Sequence, residues 1–164
     1  MALQIITILT VLALVSTLVC TADGDKGALI AQNARNYEGS YQYTYASAHS
    51  TGRNTYKCNI FVADVLKEVG ATVPQRRWWV ESPIGAGEWG NRHSTFLSDA
   101  PCWMNTLTAK EGDVIGDGAH VGIVTGWMQS TSAPPNKPVI SNDWGFRRSG
   151  RGSRSSITIW RYTC

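Results

Sequence analysis

Cys58 and His120 are the residues whose types and surroundings could do covalent chemistry together. Cys58 opens the run Cys58-Asn-Ile-Phe61-Val62-Ala-Asp-Val65-Leu66, where apolar residues recur at helical spacing. A thiol at a helix N-terminus meets unpaired N–H groups and the positive end of the helix dipole, and both favour thiolate. His120 precedes Val121-Gly-Ile-Val124, which reads as a strand. An imidazole within hydrogen-bond reach of a thiol can take its proton, so the two together would be a nucleophile and its base. Taken singly, each has a plainer use: a structural or disulfide cysteine, and a surface or capping histidine. A third group must orient the imidazole. Ile140-Ser-Asn142-Asp143 offers two, which point to opposite sides of a regular strand. Asp143 would stabilise an imidazolium by charge, whereas Asn142 would fix the tautomer without it. Lys57 adds a positive charge beside the thiol, and the Cys58 backbone N–H is suited to hold an oxyanion.

The elements that must position these residues are readable in outline. Ala28, Leu29, Ala31, Ala34 and Tyr37 fall near helical spacing, with Asp25 as N-cap and Gly39 as stop. Ser40 to Thr55 is rich in Tyr, Ser and Thr and reads as a loop. The second helix runs from Cys58 along the stripe Phe61, Val62, Val65, Leu66 and Val69, and Gly70 ends it before Pro74. From Gln75 to Lys110 the periodicity is lost among Trp78, Trp79, Trp89 and Trp103. These tryptophans suit either a sugar- or peptide-holding surface or the core. The last third changes period. Gly112–Ile115, His120–Trp127, Lys137–Ser141 and Ser156–Tyr162 read as short strands, and Ala133 to Pro138 as a hairpin loop. Helices first and an antiparallel meander afterwards predict an α+β fold.

The chain has 164 residues, and Ile5 to Val19 is apolar and uncharged. That run is short for a membrane span and leads into Cys20-Thr21-Ala22, so residues 1–22 read as a signal peptide, with a retained anchor as the alternative. Residues 23–164 then form one domain, secreted, with no later segment able to span a membrane, and a monomer is expected. Secretion leaves Cys58, Cys102 and Cys164, an odd number. A C-terminal cysteine makes most sense as a staple, so Cys102 pairs with Cys164 and Cys58 stays reduced. A Cys58–Cys102 bridge, or an intermolecular bond through Cys164, would be the alternatives.

The formal net charge is +3, with Arg147, Arg148, Arg151, Arg154 and Arg161 gathered near the end. Such a patch is either a solvated loop or a site for an anionic polymer. No aromatic interleaving accompanies it, which argues against nucleic acid. His49, His93 and His120 lack ligand spacing, and the glycines of Gly112–Gly118 lack a phosphate-loop order, so no metal or cofactor is expected.

Tyr56-Lys-Cys58-Asn-Ile-Phe61 through Gly70-Ala-Thr-Val-Pro74 resembles the nucleophile helix of the NlpC/P60 and CHAP superfamily of papain-like cell-wall peptidases. Gly112-Asp-Val-Ile115 and Gly118-Ala-His120-Val-Gly-Ile-Val124 resemble its base strand. The order cysteine, histidine, polar residue agrees. Asn59 after the nucleophile and the long tryptophan-rich segment depart from the minimal pattern. With the small size and the Cys-Asn start, they are similar to the amidase effectors injected through type VI secretion. The signal peptide and disulfide fit the domesticated amidase effectors of arthropods. The resemblance implies a papain-like domain with its N-terminal helices packed on the C-terminal sheet. It also implies cleavage of an amide in bacterial peptidoglycan, at the D-Ala–diamino-acid cross-link, as an antibacterial activity. On that reading the tryptophan-rich segment and the loop Ser40 to Thr55 should wall a groove for a peptide stem. The competing reading is a secreted lectin-like module that binds cell-wall polymer without Cys58.

Overall fold

The computed structural model describes residues 26–144 and 157–164. The segment 1–22 read as a signal peptide, the expected Asp25 cap and Arg147, Arg148, Arg151 and Arg154 lie outside the described residues. Helix α1 (Lys26–Asn36) buries Ile30, Ala31 and Ala34, one stripe of its surface. Its exit turn runs through Gly39, whose φ of 84° suits glycine and whose N–H donates to Val139 O at 2.9 Å. Helix α2 (Cys58–Glu68) buries Phe61, Val62, Val65 and Leu66, the expected stripe, together with Cys58, Ile60 and Ala63. It is covered on more sides than one face requires, so α2 is the central helix. Gly70 N–H donates to Lys67 O and Ala71 N–H to Leu66 O, which satisfies the last carbonyls of the helix.

Two short helices, α3 (Ala86–Trp89) and α4 (Thr95–Ser98), and a first strand β1 (Trp103–Thr106) lie inside the stretch whose periodicity is lost. They are single turns of four residues, too short to show a helical repeat in the sequence. Trp89 and Trp103 are core residues, their rings edge-on at 5.1 Å. The remaining strands are β2 (Val114–Gly116), β3 (Val121–Gly126), β4 (Gln129–Ser132), β5 (Ile140–Asp143) and β6 (Thr158–Tyr162). All six join one antiparallel sheet in the order β1-β6-β2-β3-β4-β5. The fold is therefore α+β, helices against an antiparallel sheet.

Alternation along the strands divides the sheet. Val114, Val121, Ile123, Ala133, Val139 and Trp160 pack under α1 and α2, and Ile115, Val124 and Ile159 form a small cluster elsewhere. Strand β4, absent from the sequence reading, reads Gln-Ser-Thr-Ser and carries no apolar residue. Its buried hydroxyls are satisfied across the sheet: Thr125 Oγ1 to Thr131 Oγ1 at 2.9 Å, and Thr131 Oγ1 to Ser141 Oγ at 2.6 Å. Hydroxyl pairing replaces the hydrophobic signal there.

Cys102 and Cys164 are disulfide-bonded, closing a sequence separation of 62, and Cys58 is the free cysteine. The bridge sits beside the β1–β6 pairing, where Thr163 N–H also donates to Cys102 O at 2.8 Å. Arg161 of the expected basic group is engaged by Asp113, in a two-pronged pair of 2.9 and 2.7 Å. Among the described residues no helix is long and apolar enough to cross a membrane.

Candidate active site

Cys58 is the first residue of α2, and no side chain caps that terminus, since Lys57 stands at the N-cap. An uncapped start leaves the first N–H groups of the helix free to meet a sulfur or a substrate oxygen. His120 immediately precedes β3, at the end of the turn Asp117-Gly118-Ala119. The Asp117 carboxylate accepts from the Ala119 N–H at 2.9 Å and the His120 N–H at 2.7 Å, and the Asp117 N–H donates to His120 O. This closed turn holds the histidine backbone. Gly118 has a φ of 86°, and a Cβ on Gly90 would fall 2.1 Å from Gly118 N, so α3 can back the turn so closely only through glycine.

The fold brings Cys58 and His120 onto one cavity of about 340 Å³. Tyr56 and Lys57 form one wall, and Ala133, Pro134 and Pro135 the other. The loop before α2 builds the first wall. Tyr45 packs on Tyr56 at 5.1 Å, and its N–H donates to Pro135 O, tying the two walls together. Lys57 is almost wholly buried, and its ammonium donates to Thr44 O, Thr55 O and Thr55 Oγ1 at 3.0–3.3 Å. Burial without a carboxylate partner lowers its pKa. Lys57 thus clamps the loop to the helix start and is not among the groups that set the Cys58 titration.

The electrostatics of the thiol differ from the sequence expectation. Burial pushes the Cys58 pKa up; the N–H groups of Val121, Asn59 and Cys58 itself pull it down, and the Asp117 carboxylate raises it further. The net direction is upward, because desolvation of the anion outweighs the helix terminus. At neutral pH Cys58 therefore rests as the thiol, and any reaction through its sulfur requires that proton to be removed. The folded state binds this proton more tightly than the unfolded chain, so the thiol's contribution to stability is full below the unfolded pKa. It is lost as pH rises through the folded value. Iodoacetamide alkylation of Cys58 should be slower in the native protein than in the urea-unfolded chain at pH 7. The native rate should still climb above about pH 8.5, where an ordinary thiol levels off. Fast, pH-independent alkylation near neutrality would contradict this.

Asn142 and Asp143 do not reach His120. Asn142 is paired with Ser130, which is paired with Val124, and Asp143 is paired with Gln129. His120 precedes Val124 by four residues, about 13 Å along a strand. Asn142 Oδ1 is buried with no hydrogen-bond partner among the described residues. Polar β4 stands between β3 and β5, so the register sets Asn142 and Asp143 opposite Ser130 and Gln129. The residue that holds the histidine turn is Asp117, whose signal in the sequence is the Asp-Gly turn dipeptide ahead of His120.

No protein-family model matches this chain, and no curated protein matches it. The chemistry rests on the geometry. The other histidines lie apart from the cavity: His49 Nε2 is 2.7 Å from Asp64 Oδ2, and His93 is exposed on the turn after α3. Among the described residues no group of three His, Cys, Asp or Glu side chains could hold a metal ion. The tryptophans do not wall the cavity either. Trp89, Trp103 and Trp160 are buried, and Trp78, Trp79 and Trp127 are exposed outside it. Asn59, the departure from the family pattern, donates to Ile84 O at 3.2 Å and anchors the segment after α2.

Proposed function

We propose that this protein is a secreted cysteine amidase of the papain-like NlpC/P60 type, similar to the amidase effectors, that hydrolyses amide bonds in bacterial peptidoglycan peptides. The observation that carries the reading is Cys58, at an uncapped helix start, sharing one cleft with His120. The disulfide is consistent with an oxidising, extracellular setting.

The chemistry then runs as follows. His120 takes the Cys58 proton as sulfur attacks the amide carbonyl carbon; the C–S bond forms and the carbonyl π pair moves to oxygen. The N–H groups of Cys58 and Asn59 hold that oxyanion at the helix N-terminus. The imidazolium gives its proton to the amine, the C–N bond breaks, and a thioester remains. Water, deprotonated by His120, attacks the thioester and releases a carboxylate and the thiol. Asp117 acts on this sequence as a positioning residue through the His120 backbone. A cleft with a tyrosine and two prolines in its walls suits an extended peptide stem, and the D-Ala–diamino-acid bond is the proposed target.

The test is digestion of purified sacculi by the chain from residue 23 onward, followed by mass spectrometry of the released muropeptides and assay of new amino groups. Wild-type protein should release them, and Cys58→Ala should release none while still folding. Solubilisation by the Cys58→Ala protein would sink the mechanism. Saturable binding to sacculi with no new amine from either protein would favour the lectin-like reading.

A further inference from the structure

The exposed loop Gln75–Pro83 stands apart from the cleft and has no part in the proposed chemistry. Its base is closed by the Gln75–Pro83 bridge, by Arg76 N–H to Ser82 O at 2.8 Å and by Ser82 N–H to Gln75 Oε1 at 2.7 Å. Its tip reads Arg76-Arg77-Trp78-Trp79-Val80-Glu81, and every one of these residues is exposed. Trp78 is 90% exposed, Trp79 65% and Val80 49%. Three large apolar side chains held largely in water by a closed base cost solvation energy in the free protein.

We propose that this loop docks the protein on an anionic lipid bilayer. Two observations select that partner. The first is charge: Glu81 is neutralised by Lys67 Nζ at 2.8 Å, while among the described residues Arg76 and Arg77 have no carboxylate partner. The tip therefore presents two uncompensated positive charges around two indoles, which suits a headgroup layer of negative charge over an apolar interior. The second is ring geometry. The indoles meet edge to face, with centroids 5.5 Å apart and planes at 84°. They do not form the coplanar platform on which successive sugar rings of a glycan would lie, whereas insertion into an interface needs no common plane.

The placement leaves the cleft free. The tip borders a hollow of about 480 Å³ with Lys67, Ala71 and Val73 past the C-terminal end of α2, while the closing side of the loop, Glu81 to Pro83, runs back along α2 toward Asn59 and Ile60. Cys58 lies at the other end of that helix, nine residues and about 14 Å away.

The experiment is co-sedimentation of the chain from residue 23 onward with vesicles of equal parts phosphatidylglycerol and phosphatidylcholine, and with phosphatidylcholine alone. Wild-type protein should sediment with the anionic vesicles, less so as salt is raised, and hardly with the neutral ones. Trp78→Ser/Trp79→Ser and, separately, Arg76→Gln/Arg77→Gln should each weaken binding by on the order of tenfold. Both pairs are exposed, so thermal unfolding should match wild type, and both variants retain the arginines of 147–154 as an internal control. Anionic-vesicle binding that persists at full strength in the double variants would overturn the proposal. So would loop-dependent binding to sacculi or soluble glycan without vesicle binding, which would assign the tip to the wall polymer. None of these readouts depends on amidase activity, so this inference and the proposed function fail separately.

Discussion

His120→Gln is expected to lower turnover on a peptidoglycan peptide by roughly 10²–10⁴-fold, the usual worth of a positioned general base. The reason for a large effect lies in the state of the nucleophile. Burial holds Cys58 as a thiol at neutral pH, so there is no preformed thiolate to carry the reaction when the base is removed. Glutamine keeps a polar group of similar reach, and its backbone N–H can still donate to the Asp117 carboxylate. KM should therefore change by less than about threefold, the signature of an interaction used in the transition state. The residual rate of the variant should climb steeply with pH, because hydroxide then generates the thiolate that His120 generates in the wild type. A variant with wild-type kcat, or a residual rate flat from pH 6 to 9, would remove His120 from the mechanism.

The second large effect is on stability. Replacing both partners of the bridge, Cys102→Ser with Cys164→Ser, should destabilise the fold by about 4 kcal/mol, the loop-closure value for a separation of 62 residues. For a domain of this size that corresponds to a fall in Tm of roughly 10 °C. The double change keeps a lone Cys102 from exchanging with Cys58. Wild-type protein in reductant should melt close to the variant, whereas a Tm within about 2 °C of oxidised wild type would show that the pairing of β6 holds the terminus without help. The site is expected to feel the loss. β6 lies between β1 and β2, and its Thr158 hydroxyl donates to Gly90 O at 2.8 Å, directly behind the turn that carries His120. Fraying from Cys164 inward would loosen that turn, so activity should fall at temperatures below global unfolding.

Helix α2 and the position of Cys58 at its start were legible because an apolar stripe at helical spacing, closed by Gly70, is a local signal with a local cause. The Cys102–Cys164 staple was legible because an odd count leaves one thiol unpaired, a terminal cysteine suits a staple, and Cys58 at a helix start suited the unpaired place. β4 was not, because its buried face is made of hydroxyls whose partners are on neighbouring strands, and hydrogen-bonded serine and threonine look like a loop in one dimension. β1, α3 and α4 were hidden for a related reason: each is four residues long and is stabilised by what it packs on. The tryptophans illustrate the same limit. Trp78 and Trp79 differ from Trp89 and Trp103 by exposure alone, and exposure is a property of the assembled fold.

The amino-acid sequence by itself determined the α+β class, the reduced Cys58 at a helix start, the histidine ahead of a strand and the staple at the C-terminus. All of these follow from spacing, from counting or from the conformational preferences of a few residues. Tertiary structure alone decided which side chains meet. It set the register that carries Asn142 and Asp143 away from His120, and the Asp117 turn that holds the histidine in their place. It also set the balance that raises the Cys58 pKa, since desolvation depends on everything packed around the sulfur and not on the helix that presents it.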